Sequence, residues 1–239
     1  MDTNDGNMKS ITPARIGVGR AGTRPRTTTW LEFRADHARA RDAVHSELSE
    51  DFLAKLKDEY SCQQVQSTCT DRADFVLFPP KGKRVNAEAL EKLKSTCING
   101  ADVQIVISDG LSAQAAEANI PDLLPILQDG LALEKFSIGT VVVVRLGRVA
   151  VADQIAEALG AKLVINLIGE RPGLSCAESL SAYITLNPGA HTISSDRTVI
   201  SNIHKQGTPP LEAGAYIVQL IKRIFKLQLS GVKLQQARD

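Results

Sequence analysis

Beyond residue 84 the sequence alternates short, continuous apolar runs with segments of helical periodicity. The apolar runs, which predict strands, are VQIVIS, GTVVVVR, KLVINLIG and AYITL. The helical segments are NAEALEKLKSTC, LSAQAAEAN, PDLLPILQDGL, VADQIAEALG and, last, TPPLEAGAYIVQLIKRIFK. Strands that are apolar at every position are buried on both faces, and intervening helices let them run parallel. The pattern predicts an α/β fold with a mostly parallel, Rossmann-like sheet flanked by helices.

The last helix shows its expected start and its buried face most clearly. Thr208 is placed to cap its first turn, and the proline at 209 suits that turn. Apolar residues at spacings of three and four then predict a buried stripe formed by Ala213, Ile217, Leu220, Ile221 and Ile224.

The first 84 residues are organised differently. Trp30, Phe33 and His37 lie at spacings of three and four, continued by Ala40 and Val44, which predicts a long amphipathic helix. FVLFPPKGKR predicts a short strand followed by a turn. We therefore divide the chain near residue 84. Residues 1–84 are predicted to form a partner-facing arm with a helical N-terminal extension, and residues 85–239 the α/β domain.

The charge distribution bears on partners. Seven arginines crowd the N-terminal region, namely Arg15, Arg20, Arg24, Arg26, Arg34, Arg39 and Arg41, although the formal net charge of the chain is only +1. No aromatic ladder, zinc-finger spacing or helix-turn-helix pattern accompanies them. We therefore expect a protein partner rather than nucleic acid.

Composition excludes several other classes. The longest apolar runs are far too short to cross a bilayer, so no membrane span is expected. The polar start, MDTNDGNMKS, lacks the apolar core of a secretory signal, which predicts a cytoplasmic location. The cysteines form no C-x-x-C pair and have no histidine at zinc-ligand spacing, so we expect free thiols and no metal site.

Two glycine motifs resemble cofactor sites without their full context. GVGRAG at 17–22 matches the dinucleotide-binding pattern, but a proline precedes it and Pro25 stands where a helix should already be established. NIHKQG at 202–207 nearly matches a D-x-H-x-x-G motif in which histidine binds the cobalt of cobalamin, with Asn202 in place of the aspartate that would orient the ring. We expect His204 to hydrogen-bond within its loop. A nicotinamide-dependent oxidoreductase and a stand-alone cobalamin carrier remain alternatives.

Loops after the strands are the expected ligand site, because ligands of open α/β sheets bind beyond the carboxyl ends of the strands. Ser175 and Glu178 match a capping box, which predicts a helix there and places residues 169–171 in the turn before it. Asp109, after VQIVIS, is either an acid at a strand end or a helix cap.

Five collinear blocks together resemble the small (beta) subunit of ethanolamine ammonia-lyase. They are ARIGVGRAGTRPRT, WLEFRADHARARDAV, VISDGLSAQA, LIGERPGLSCAESLSAYIT and ISNIHKQGTPPLEAGA, and the resemblance spans Pro13 to Leu229. It implies a subunit that joins a larger barrel subunit in an adenosylcobalamin-dependent enzyme, which converts ethanolamine to acetaldehyde and ammonia by a radical mechanism. The larger subunit holds ethanolamine, and the cofactor lies between the two.

The resemblance also implies the roles of particular residues. Cofactor contacts of the family fall on Val149, through its backbone, on Glu170, as an acceptor for the corrin's amide arms, and on Asn202, which is cysteine in some members. No catalytic residue and no metal ligand are implied in this chain. Family members often carry a longer leading segment linked in some to bacterial microcompartments, whereas only a short polar segment precedes the first block here.

Overall fold

A mixed sheet of six strands forms the centre of the part of the chain that this computed structural model describes, residues 16–237. The described strands are β1 (Arg20–Ala21), β2 (Arg24–Pro25), β3 (Gln63–Gln66), β4 (Val103–Ser108), β5 (Val142–Arg145), β6 (Leu163–Gly169), β7 (Leu180–Leu186) and β8 (Arg197–Ile203). The described helices are α1 (Thr27–His45), α2 (Glu50–Tyr60), α3 (Arg72–Leu77), α4 (Ala87–Thr96), α5 (Ala113–Leu133), α6 (Val151–Ala158), α7 (Pro210–Leu227) and α8 (Gly231–Gln236), with 3-10 turns at Lys81–Lys83 and Ser194–Asp196.

The strand order of the large sheet is β3-β5-β4-β6-β7-β8. The first four strands are parallel, whereas β7 and β8 each run antiparallel to the preceding strand in this order. The α/β class and the flanking helices are confirmed, but a mostly parallel, Rossmann-like sheet is not, because the sheet is mixed. The reason lies in residues 170–179, which form a loop without a helix. A direct loop returns the chain antiparallel, whereas a parallel neighbour needs a longer crossover. The helix start predicted from Ser175 and Glu178 is wrong.

Helices pack on both faces of the sheet. Alternate residues of β4 divide between the two layers: Ile105 and Ile107 pack in the layer that contains α5 and α7, and Val106 packs with α4 and α6 on the opposite face. The predicted stripe of α7 is confirmed, since all five of its residues are buried. The predicted Thr208 cap is wrong, because the N-cap is Pro209 and makes no side-chain cap bond.

Four further segments differ from the sequence predictions. The two helices predicted over 111–131 form one, because α5 buries nine residues and this packing outweighs Pro121 and Pro125 inside it. The strand predicted in FVLFPP is wrong, since its first half completes α3, which Asp71 caps by accepting a hydrogen bond from Asp74 N. The edge strands β3 and β8 were not predicted.

The N-terminal region leaves apolar side chains uncovered. In α1 Trp30 is 47% exposed and Leu31 55% exposed, and only Ala43 of this helix is buried within the described chain. Before α1, the glycine-rich segment forms a small hairpin between β1 and β2, with Gly22 at φ +64°. No helix begins at Gly22, so the described geometry is not the strand-turn-helix of a dinucleotide site. Arg15 of the basic cluster and the polar start lie outside the described residues. The division near residue 84 stays a prediction.

A buried carboxylate fixes the loop after β5 to the end of β4. Asp109 is 1% exposed and accepts hydrogen bonds from Leu146 N at 2.9 Å and Gly147 N at 3.0 Å. It also forms an ion pair with Arg72, at 3.4 Å. The Nε of Arg72 in turn donates to Val44 O, at the end of α1, at 2.6 Å. Burial raises the pKa of Asp109, while Arg72 and the two backbone donors oppose that shift. Ser112, not Asp109, caps α5, so Asp109 is a structural anchor.

We predict that Asp109→Asn strongly destabilises the fold. The substitution leaves Arg72 buried without its partner and removes one of the two acceptors that hold the loop, a type of change that costs about 3–5 kcal/mol. Urea denaturation of the purified chain measures the loss. Glu134→Gln, which breaks a surface ion pair with Lys222, is the control and is expected to cost about 1 kcal/mol or less. Equal stability losses in the two variants would contradict the anchoring role of Asp109.

Candidate functional site

A cavity of about 230 Å³ lies where the carboxyl ends of β4, β5 and β6 meet the start of β7. Val149, in the loop after β5, and Glu170, directly after β6, both line it. Asn202, near the end of β8, contacts the Glu170 side chain. The structure therefore brings together all three residues that the sequence had placed in separate loops.

Close backbone packing forms the floor of this cavity. Gly110, at φ +57°, lies against the backbone of Gly169, and a Cβ added at Gly110 would overlap the Gly169 carbonyl oxygen. A Cβ added at Gly169 would in turn overlap the carbonyl oxygen of Ser112. Glycine at both positions lets the ends of β4 and β6 approach closely, which fixes the position of the next residue, Glu170.

The Glu170 carboxylate is held by one of its two oxygens. Oε1 accepts hydrogen bonds from Ser181 Oγ at 2.7 Å and from Asn202 N at 2.8 Å, while the Glu170 backbone N–H donates to Ser179 O at 2.9 Å. Within residues 16–237 no donor engages Oε2. Glu170 therefore has a fixed side chain and an oxygen that can accept hydrogen bonds from a ligand.

Asn202 contributes through its backbone. Its φ of +63° lies in the left-handed region, which asparagine tolerates better than most residues. Its side-chain Oδ1 is 2.8 Å from His204 Nε2, and Gln206 N donates to His204 Nδ1 at 3.3 Å. The prediction that His204 hydrogen-bonds within its loop is confirmed. Both ring nitrogens are engaged, so the described conformation leaves neither available for a metal.

Two hydrogen bonds in series hold the backbone carbonyl of Val149. Asn166 Nδ2 donates to Val149 O at 3.1 Å, and Ser108 Oγ donates to Asn166 Oδ1 at 3.0 Å. The Val149 carbonyl therefore already has a partner, whereas its N–H donates to no acceptor in the described chain. Of the two backbone groups predicted to contact the cofactor, the N–H is the one without a partner in the described chain.

Sequence reasoning did not single out three polar residues of the cavity, Arg148, Ser181 and Tyr183. Arg148 places its guanidinium 4.1 Å from the centre of the Phe75 ring and donates from Nη2 to Phe75 O at 2.8 Å. Burial lowers the pKa of Arg148, and burial followed by the nearby Glu170 charge raises the pKa of Tyr183. Arg148 precedes Val149 in sequence and could have been noted as a cation at a strand end. Tyr183 lies within a strand and gave no signal.

Residues 16–237 show neither a metal-binding cluster nor a membrane-spanning helix. No group of three or more His, Cys, Asp or Glu side chains is placed there to hold a metal ion. No helix in that range is both long and apolar enough to cross a bilayer. The four cysteines are free thiols, with Cys62, Cys69 and Cys97 buried.

Comparison with known proteins gives a consistent result over nearly the whole chain. Residues 3–235 match the family model described as "Ethanolamine ammonia-lyase light chain (EutC)". A protein of Clostridium tetani is 48% identical over 228 residues, which are 95% of this chain and 76% of the relative. Proteins of Fusobacterium nucleatum (46% over 227 residues, 95% and 76%) and Lachnoclostridium phytofermentans (44% over 229 residues, 96% and 76%) are similar.

All three relatives are named "Ethanolamine ammonia-lyase small subunit". The matched region contains every element of the large sheet and all three residues around the cavity. A family-model match over residues 3–235 and sequence identities of 44% to 48% are far more than a shared fold alone would give. The chain belongs to the ethanolamine ammonia-lyase light chain family.

Proposed function

We propose that this chain is the small subunit of an adenosylcobalamin-dependent ethanolamine ammonia-lyase and holds one side of the corrin against a large catalytic subunit. The observation that carries the proposal is that Val149 and Glu170 line one cavity, and that the Asn202 N–H bonds the Glu170 carboxylate, in a chain of this family. Membership of this family also supports a cytoplasmic location, and we further propose that the protein associates with a bacterial microcompartment.

The residues at the cavity fit an edge of the cofactor. A volume of about 230 Å³ is too small for a whole corrin, which must therefore be held mostly by another surface. The unengaged Oε2 of Glu170 and the N–H of Val149 suit the N–H₂ and C=O groups of carboxamide arms. When bound, the cofactor would supply radical chemistry through its cobalt–carbon bond.

The residues of this chain would orient the cofactor and hold it in place. Ser181 and the Asn202 N–H fix the Glu170 carboxylate, so binding costs little side-chain entropy. Asn166 and Asp109 hold the loop that presents the Val149 N–H. No group in this set is arranged to hold ethanolamine, which supports a role in cofactor binding rather than in substrate chemistry.

We propose α1 and the hairpin before it as the surface that meets the large subunit. A helix of 19 residues with a single buried residue gains little stability from its own chain. Its exposed Trp30 and Leu31 lie among the arginines of the basic cluster, which favours an acidic partner surface with an apolar centre. The relatives' designation as a small subunit supports the large subunit as that partner.

We predict that the purified chain alone does not turn over ethanolamine, and that activity appears only with the large subunit and adenosylcobalamin. The double substitution Trp30→Glu with Leu31→Glu is expected to reduce reconstituted activity at limiting subunit by at least about tenfold, because it places two charges in the buried centre of the interface. Acetaldehyde formation and subunit co-purification measure the two effects.

Leu133→Glu is the matched control for assembly. Leu133 is 83% exposed at the end of α5 and lies outside the proposed surface. This variant should assemble and turn over like the unmodified chain. Turnover by the single chain would contradict the proposed dependence, and normal assembly of the double variant would contradict the assignment of α1.

We predict that Glu170→Ala weakens cobalamin binding in the assembled enzyme without preventing assembly. The lost hydrogen bonds to a charged acceptor correspond to about 1.5–3 kcal/mol, or very roughly a ten- to hundredfold higher Kd. Equilibrium titration with cobalamin measures the change. Glu178→Ala is the control, because Glu178 is exposed in the same loop and only its backbone carbonyl has a described partner. An unchanged Kd for Glu170→Ala would contradict the contact.

We predict that His204 does not bind cobalt. Both of its ring nitrogens are engaged within the loop, and in the family that the chain resembles the cofactor keeps its own dimethylbenzimidazole as lower ligand. In the paramagnetic spectrum of the assembled enzyme with cob(II)alamin, nitrogen-15 labelling of the protein should leave the triplet superhyperfine splitting unchanged. A doublet would show a protein nitrogen on the metal and would favour the carrier alternative.

A further inference from the structure

Arg148 lines the candidate cavity, and its side chain passes close to Gly82. Its backbone N–H donates to Gly82 O at 2.7 Å, and a Cβ added at Gly82 would lie 2.7 Å from Arg148 Cγ. Glycine at 82 therefore gives the arginine stem room to pass. Beyond it, the guanidinium lies against the buried Phe75 ring, and the guanidinium of Arg72 lies 4.7 Å from the centre of the same ring.

The charge of Arg148 has no matching anion in the described chain. Arg72, the other arginine against Phe75, is paired with Asp109, whereas no carboxylate among residues 16–237 lies within ion-pair distance of Arg148. Its Nε is buried without a partner, and its Nη1 donates to no described acceptor. A partly buried guanidinium with unused donors is costly to maintain unless something else accepts them.

A hydrogen-bond acceptor without a donor lies in the same cavity. Glu170 also lines it and keeps Oε2 without a described donor, because both of its side-chain hydrogen bonds end on Oε1. The cavity is thus lined by one residue whose Nη1 donors are unused and by another whose Oε2 acceptor is unused. A bound anion would be repelled by Glu170, and a bound cation by Arg148.

We propose that Arg148 and Glu170 together recognise a primary carboxamide, with Arg148 donating to its carbonyl oxygen and Glu170 accepting from its N–H₂ group. A carboxamide is neutral and carries a donor and an acceptor side by side, which matches the pair. This inference rests on the proposed function, since the ligand that would bring carboxamides here is the corrin with its amide arms. It adds Arg148 as a binding residue and makes the cavity selective for an arm.

The test uses the assembled two-subunit enzyme and two kinds of probe. The first is cyanocobalamin, and the second is the set of its separated isomers in which one carboxamide has been hydrolysed to a carboxylate. The unmodified enzyme should bind one isomer about tenfold or more weaker than the others, because its carboxylate faces Glu170. Glu170→Gln should remove the discrimination against that isomer alone.

Arg148→Met should raise the Kd of cyanocobalamin about tenfold or more, the loss expected for hydrogen bonds from a charged donor. The same substitution should further weaken the binding of the isomer that the unmodified enzyme already binds least tightly, because the cation that neutralises its carboxylate is gone. Arg84→Met is the matched control, because this exposed arginine carries the same charge and lies outside the cavity. It should change every Kd by less than about threefold, as expected for a solvent-exposed charge.

Several outcomes would overturn the proposal. Equal losses in the two arginine variants would show a general charge effect, and equal weakening of every isomer by Arg148→Met would show a structural role only. Tighter binding of a carboxylate isomer than of cyanocobalamin would show an oxyanion site instead. Failure of the unmodified complex to bind cyanocobalamin would refute the proposed function itself, whereas binding with no effect at Arg148 would refute only this inference.

Discussion

The buried carboxylate of Asp109 is the interaction on which the geometry of the site depends. Three parts of the chain that are distant in sequence meet at its two oxygens: the end of β4, the loop after β5 and Arg72 of α3. An ionised group in a dry interior is tolerated only when charge and hydrogen bonds compensate it, and Asp109 has both. Because Arg72 also donates to Val44 O, the end of α1 is fixed to the same anchor. The region proposed to meet the partner is therefore physically continuous with the loop that presents Val149.

The sequence predicted those parts of the fold whose residues are buried on both faces. β4 and β6 are apolar at nearly every position, and α7 carries a complete stripe, so burial and periodicity agree there. β3 has the sequence QQVQ and is an edge strand in which only Val65 is buried, so neither signal was available. α3 was missed because its aromatic and β-branched residues favour a strand, and Asp71, whose cap starts the helix, was not weighed.

The site was predictable to the extent that it lies on loops after strands. Glu170 follows β6 directly and Val149 lies in the loop after β5, so the rule for open sheets found their position. Ser181 and Tyr183 could not be assigned in the same way, and the position of Arg148 in the loop after β5 did not by itself show what it contacts. Arg148 matters because of Phe75 and Gly82, which only the folded chain brings near it. Ser181 and Tyr183 lie within β7, where the parallel topology that was predicted would have placed no ligand residue.

The antiparallel return of β7 is what completes the site. Since β7 opposes β6 and β8 opposes β7, β6 and β8 point the same way, and Gly169, Leu180 and Ile203 lie side by side across the three strands. The ends of β6 and β8 are thus two strand spacings apart, roughly 10 Å, a distance that one side chain must bridge. Glu170 bridges it by reaching over β7 to the Asn202 N–H. Its support on the way is Ser181, which lies at the register shift between Leu180 and Ala182, where β7 departs from regular pairing. Such irregularities redirect side chains without ending a strand, and here the Ser181 hydroxyl holds the Glu170 carboxylate, whose other oxygen has no donor in the described chain.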